Sequence, residues 1–215
     1  MNDTAIHSLG LGLATRNAKN EIIEVYYPAP LMNPDIALSS LLLANCAIKS
    51  GENAVSEIDE TSARALAAKL LEAKFTGHAE QVQQINEGQG QLILCVLFTD
   101  SPPKSVAEAY LKLHLLSHRL CKPHSLNLEG LFAVLHNLAW TNEGAIDLEE
   151  LPKRQLAARL RGTALEVASV DKFPKMTSYV VPAGVRIAHT ARVRLGAYLG
   201  AGTTVMHEGF VNFNA

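Results

Sequence analysis

A chain of 215 residues that is 48% hydrophobic and 19% charged can bury a sizeable core, as one large domain or two modest ones. Its formal charge of −2 leaves no basic excess to neutralise phosphates, which argues against nucleic acid as a main partner. No uninterrupted apolar stretch approaches the ~18 residues that span a bilayer, and Met1 to Ala14 has no positive residues ahead of its apolar run, so the expectation is a cytoplasmic protein without membrane attachment.

The apolar runs Leu9 to Ala14 and Ile22 to Tyr27 predict two strands joined by a turn. Pro34 opens a helix whose apolar positions Ile36, Leu38, Leu41, Leu42 and Ile48 continue until Gly51. A second helix is predicted over Thr61 to Phe75, ending at Thr76-Gly77, and a polar third near Ala79 to Glu87. The continuous apolar run Leu92 to Phe98 reads as a central strand covered on both faces. Ser105 and Glu108 have the spacing of a capping box, in which each side chain satisfies an otherwise unpaired backbone N–H. The helix they start runs to about Cys121, with Val106, Tyr110, Leu113, Leu116 and Leu120 as its core face. Asp147 is placed to cap a further helix to Arg161, and Gly162 to end it. Interleaved strands and helices predict an α/β domain over residues 1–170, divisible near 100–105, with a linker over 171–180. The separated cysteines Cys46, Cys95 and Cys121 read as reduced core thiols.

From Val181 the pattern changes. Val181, Ile187, Val193, Leu199, Val205 and Val211 recur at intervals of six, all aliphatic. Four residues after each stand Val185, Ala191, Ala197, Thr203, Gly209 and Ala215, all small or β-branched. Neither a 3.6-residue helix nor a two-residue strand period generates two such columns in phase. Each hexad therefore reads as one short strand and one tight corner, the aliphatic residue inside and the small one near the turn.

This repeat resembles the left-handed parallel β-helix of the hexapeptide acyltransferases, in which three hexads make a coil. Residues 18 apart would then stack about 4.8 Å apart, placing His189 under His207, Thr190 under Glu208 and Arg194 under Asn212. The segment 181–215 would be its first two coils. Tyr110 to Leu120, Ala139 to Asn142, Ser169 to Met176, Val181 to Ile187 and Val205 to Ala215 resemble the tetrahydrodipicolinate N-succinyltransferases, most closely those of pseudomonads and actinobacteria. That resemblance implies a homotrimeric transferase of lysine and diaminopimelate biosynthesis, with succinyl-CoA as co-substrate and a small dicarboxylate as acceptor. It also implies that the family's catalytic glutamate lies beyond Ala215, so that no catalytic residue falls in this chain and the chain alone does not transfer succinyl groups.

The resemblance further implies that Glu208 contributes a magnesium ligand near the trimer axis, while Ala191 stands where some relatives carry another ligand, an aspartate. Of the basic residues Lys172, Lys175, Arg186, Arg192 and Arg194, the last two are candidates for carboxylate recognition, with Asn212 and Asn214 beside them. His189 and His207 stack but form too small a set for a tetrahedral metal. His114 and His118, near Cys121 and His124, read as packing histidines rather than a zinc set. Two other functions fit the same pattern: a trimerisation module without chemistry, and a metal-dependent β-helix hydratase, which needs a converging histidine trio.

Overall fold

The computed structural model describes residues 5–46, 48–88 and 90–215; Met1 to Thr4, which open the apolar N-terminal reading, lie outside it. Strands β1 (Ser8–Arg16), β2 (Ile22–Tyr26) and β3 (Leu31–Met32) lead into helix α1 (Ile36–Asn45). Strand β4 (Ala54–Ile58), helices α2 (Glu60–Glu72) and α3 (Thr76–Glu87) and strand β5 (Gln91–Leu97) follow. The antiparallel sheet runs β2-β1-β5-β4, with β3 beside β1. Strand β5 is interior and its side chains alternate between two cores, which explains its continuous apolar run. Leu92, Leu94 and Val96 meet α1, α2 and α3 through Leu42, Leu66, Leu70 and Val82, whereas Ile93, Cys95 and Leu97 face the other side. Gly10 and Gly12 are required by that second face: a Cβ at either would lie 2.5 or 2.6 Å from the Tyr27 ring, which crosses β1.

Helix α4 (Val106–Ser117) fills the second face, and every one of its residues is buried. Ser105 Oγ accepts from the Glu108 N–H at 3.3 Å as the capping box requires, but the Glu108 carboxylate turns to the Lys104 N–H instead of that of Ser105. The expected single apolar stripe is too narrow, because the sheet covers one side of α4 and the hexad segment and its loops cover the other. Leu120 falls beyond the helix and is exposed.

After the one-turn helix α5 (Leu131–Val134), strands β6 (Leu138–Thr141) and β7 (Gly144–Asp147) form a hairpin. Helix α6 (Leu151–Leu160) then leads to β8 (Val167–Asp171), which completes a second antiparallel sheet of order β7-β6-β8. Asp147 does not cap α6. Its carboxylate accepts from the Glu149 N–H in the preceding turn, and Glu150 holds the cap position without a side-chain bond to the helix, its carboxylate accepting instead from the Ala18 N–H at 2.6 Å. Gly162 ends the helix at φ +77°, with the Gly162 and Thr163 N–H groups donating to Arg159 and Ala158 carbonyls.

In the hexad segment β9 (Arg186–Ile187) and β10 (Thr204–Val205) pair in parallel at an offset of 18 residues, and Val193 pairs with Val211 at the same offset. Val193, Leu199 and Val205 are buried, and Ile187 and Val211 pack partly buried against them. Val181 departs from the column, being 66% exposed. No earlier turn covers it; the buried Met176, with Val180 beside it, closes that end of the core instead. The second column is not confined to corners, since Ala197 and Val185 also pack inside.

Candidate functional site

Helix α4 carries the groups that fix the hexad segment in place. Ser117 Oγ donates to the Ala197 carbonyl at 3.1 Å and accepts from the Gly196 N–H at 2.8 Å. Beyond the helix end, Arg119 donates to the carbonyls of Leu199 at 2.5 Å and Ala183 at 3.0 Å. Midway along the helix, Lys112 is fully buried, with its ammonium on Asp100 at 2.5 Å and on the Ser101 and Asn127 carbonyls at 2.7 Å each. Nothing local marks it in sequence except that it and His114 alone interrupt the apolar run from Ala109 to Leu116.

His114 is buried on the sheet side of α4. Its Nδ1 donates to the Tyr110 carbonyl at 2.8 Å and its Nε2 accepts from the Tyr27 N–H at 3.3 Å, so the neutral ring is used at both nitrogens. Burial pulls its pKa down to about 3. His118 stacks on it with centroids 6.0 Å apart and is also pushed down by burial. Among the described residues no three His, Cys, Asp or Glu side chains gather to hold a metal.

The residues singled out around the hexads separate into three places. Arg194 is held by Asp171 at 2.6 Å and by the Asn212 side chain at 3.0 Å, its guanidinium between the rings of Phe173 and Phe210. The Arg194–Asn212 bond joins the 18-residue neighbours. Asn214, at φ +59°, turns away to accept from the His124 N–H at 2.7 Å. Arg192 and Glu208 lie on the exposed side, 3.3 Å apart. His189 and His207 are exposed, as is Arg186. Lys172 is engaged structurally, donating to the Phe132 and Leu135 carbonyls. In one chain Glu208 offers magnesium a single carboxylate that is already paired with Arg192, so an ion there would take its remaining oxygens from water or from other copies.

Between β1 and β2, the β6–β8 sheet and the segment around Tyr179 lies a cavity of about 400 Å³. Glu24, Tyr26, Trp140, Lys175, Tyr179 and Arg194 contribute to its wall. The Glu24 carboxylate accepts from Thr15 Oγ1 at 3.0 Å and from the Tyr179 hydroxyl. Burial pushes its carboxyl above the usual range, the two donors only partly offsetting this. Glu24 and Tyr179 are 155 residues apart, so no local pattern brings them together.

The chain is similar to known proteins along nearly all of this architecture. Residues 69–133 match the family model described as tetrahydrodipicolinate N-succinyltransferase N-terminal, and residues 135–175 the model described as its middle. A 2,3,4,5-tetrahydropyridine-2,6-dicarboxylate N-succinyltransferase of Pseudomonas paraeruginosa is 51% identical over 98% of this chain and 61% of its own length. The like-named protein of Salinispora tropica is 41% identical, over 99% and 59%. A crystal structure from Campylobacter jejuni, described as a 2,3,4,5-tetrahydropyridine-2-carboxylate N-succinyltransferase, superposes with a TM-score of 0.85 at 26% identity, covering 98% of this chain and 59% of that one. The chain thus spans about three fifths of the length of the curated relatives it matches. By both domain models and by identity along its length, the chain is similar to the N-terminal and middle parts of the tetrahydrodipicolinate N-succinyltransferases.

Proposed function

We propose that this chain is the N-terminal and middle part of a succinyl-CoA-dependent N-succinyltransferase acting on tetrahydrodipicolinate in the cytoplasm, in the succinylase branch of diaminopimelate and lysine biosynthesis. The observation that carries the reading is the 51% identity over 98% of the chain to a relative bearing that name. The reaction joins an amine to a thioester carbonyl with loss of CoA, and it requires both partners and a base in near-attack geometry. In this reading residues 1–170 form an α/β unit, divisible near 100–105, and 171–180 connect it to a left-handed parallel β-helix beginning near Val181. The parallel pairing of β9 with β10 at an 18-residue offset supports three hexads per coil.

The active assembly is a homotrimer of such helices, and the acceptor is a small dicarboxylate. Arg192 is the residue offered to its carboxylate, because its guanidinium is exposed and has one 3.3 Å ion pair to give up. Arg194 and Asn212, bonded to one another, and Asn214, which accepts from the His124 N–H, are the further candidates for acceptor binding in this reading. Magnesium enters only where copies of Glu208 would meet at the trimer axis.

The test measures CoA release from succinyl-CoA with 2-aminopimelate as acceptor. It is run on the 215-residue chain and on a chimera continued with the later hexads of the Pseudomonas relative. The reading expects turnover by the chimera, lost by at least tenfold in kcat/KM on Arg192→Ala. A folded, trimeric chimera with no turnover refutes the function, and equal turnover by the short chain refutes the placement of the catalytic base.

A further inference from the structure

The cavity beside Glu24 has a charge pattern that the proposed transfer does not use. Four charged side chains contribute to its wall: Glu24, Asp171, Lys175 and Arg194. Asp171 and Arg194 neutralise one another at 2.6 Å. Glu24 receives only the neutral hydroxyls of Thr15 and Tyr179, and neither it nor Lys175 has an ion-pair partner among the described residues. One anion and one cation therefore share a cavity with no counter-charge for either. Around Glu24 stand the rings of Tyr26, Tyr179 and Trp140, with the first two 6.1 Å apart. A carboxylate among aromatic faces is the arrangement that takes an ammonium group, through its charge and through the ring quadrupoles. A volume of about 400 Å³ falls in the range of small-ligand sites.

We propose that this cavity is a binding site, formed wholly within one chain, for a small zwitterion of the amino-acid class, its ammonium on Glu24 among Tyr26, Trp140 and Tyr179 and its carboxylate on Lys175. The ligand is held by complementary charge at its two ends, so either half alone binds weakly. Lysine suits the outer end because its exposed, flexible stem can follow carboxylates at different distances. Glu24 suits the inner end because Thr15 and Tyr179 hold its carboxylate in one orientation before any ligand arrives. Arg194, the one residue of this wall that the proposed transfer also names, is already neutralised by Asp171, and the test of the site needs no turnover.

Trp140 is the single tryptophan and lies in the cavity wall, so its fluorescence reports occupancy directly. The 215-residue chain is titrated with 5-aminopentanoate, butylammonium and pentanoate, with calorimetry in parallel. The expected result is a Kd for 5-aminopentanoate at least about tenfold below that for either half, corresponding to about 1.4 kcal/mol or more. Glu24→Gln should raise that Kd at least tenfold and abolish butylammonium binding while sparing pentanoate. Lys175→Met should do the reverse. Equal affinity for the three probes, no saturation by 5-aminopentanoate to about 10 mM, or unchanged binding by both variants would overturn the proposal. Should Glu24→Gln fail to fold by circular dichroism, Lys175→Met, which alters an exposed side chain, and the three-probe comparison decide it.

Discussion

Replacing Gly196 by alanine tests how the hexad segment is locked to α4. Gly196 has φ +93°, a region that an L side chain enters at a cost of about 1–2 kcal/mol. A Cβ there would also stand 2.5 Å from Leu113 Cδ2 and 2.8 Å from Phe213 Cβ. Leu113 is fully buried, so it has no solvent into which to move, and overpacking of this kind adds about 1–3 kcal/mol. The expected destabilisation is therefore about 2–5 kcal/mol, a large share of the about 5–15 kcal/mol that holds a domain together. Gly202→Ala is the control: φ is +86° but nothing lies within 4 Å of the added carbon, so only the backbone strain applies. Urea unfolding of both variants separates the two contributions. Hydrogen exchange should show lost protection at the Gly196 and Asn214 N–H groups, which donate to Ser117 Oγ and the Gly196 carbonyl. Equal destabilisation by the two substitutions, with those amides still protected, would refute the close-packing argument.

Lys112→Met should cost about 2–4 kcal/mol by urea titration, since it leaves two carbonyls without their buried donor and the partly exposed Asp100 carboxylate with only the Asn127 N–H; a loss below about 1 kcal/mol would show that water replaces it. For His114 the folded pKa of about 3 lies below the ordinary value of 6.5, so the unfolded chain binds the extra proton and stability falls as pH drops through 6.5 toward 3. The His114→Gln variant should lack that share of the slope, up to about 1.4 kcal/mol per pH unit, in urea midpoints compared between about pH 7.5 and about pH 5; parallel slopes would contradict it. In a trimer that brings copies of Glu208 together, Glu208→Gln should remove any response of trimer dissociation to magnesium in sedimentation, and an unaltered response would exclude Glu208 as the ligand.

Period and punctuation were legible because they are local. The six-residue spacing of Ile187, Val193, Leu199, Val205 and Val211 survives as a shared core, since each hexad repeats the same backbone path and so points the same position inward. The apolar run of β5 and the serine cap of α4 are likewise written into neighbouring residues. Where the reading drifted, the cause was a contact from elsewhere. Glu108 left its capping role for the Lys104 N–H, and Val181 lost its inward place because Met176 occupies the end of the core. The sheet of β6, β7 and β8 also escaped the reading, because its strands are four or five residues long and β8 is exposed on both faces, leaving little alternation to detect.

The candidate site residues divide along the same line. Arg194 and Asn212 were paired in advance by their 18-residue separation, and the structure bonds them; that Asp171 also neutralises Arg194 required the chain to return across the second sheet. Nothing in the sequence joins Glu24, Tyr179 and Trp140, because their relation depends on two sheets meeting. The sequence by itself thus determined the repeat, the serine-capped start of α4 and the resemblance to the transferases. Only the tertiary structure decided which charges are neutralised and which face a cavity, because electrostatic pairing is governed by distance through space rather than along the chain.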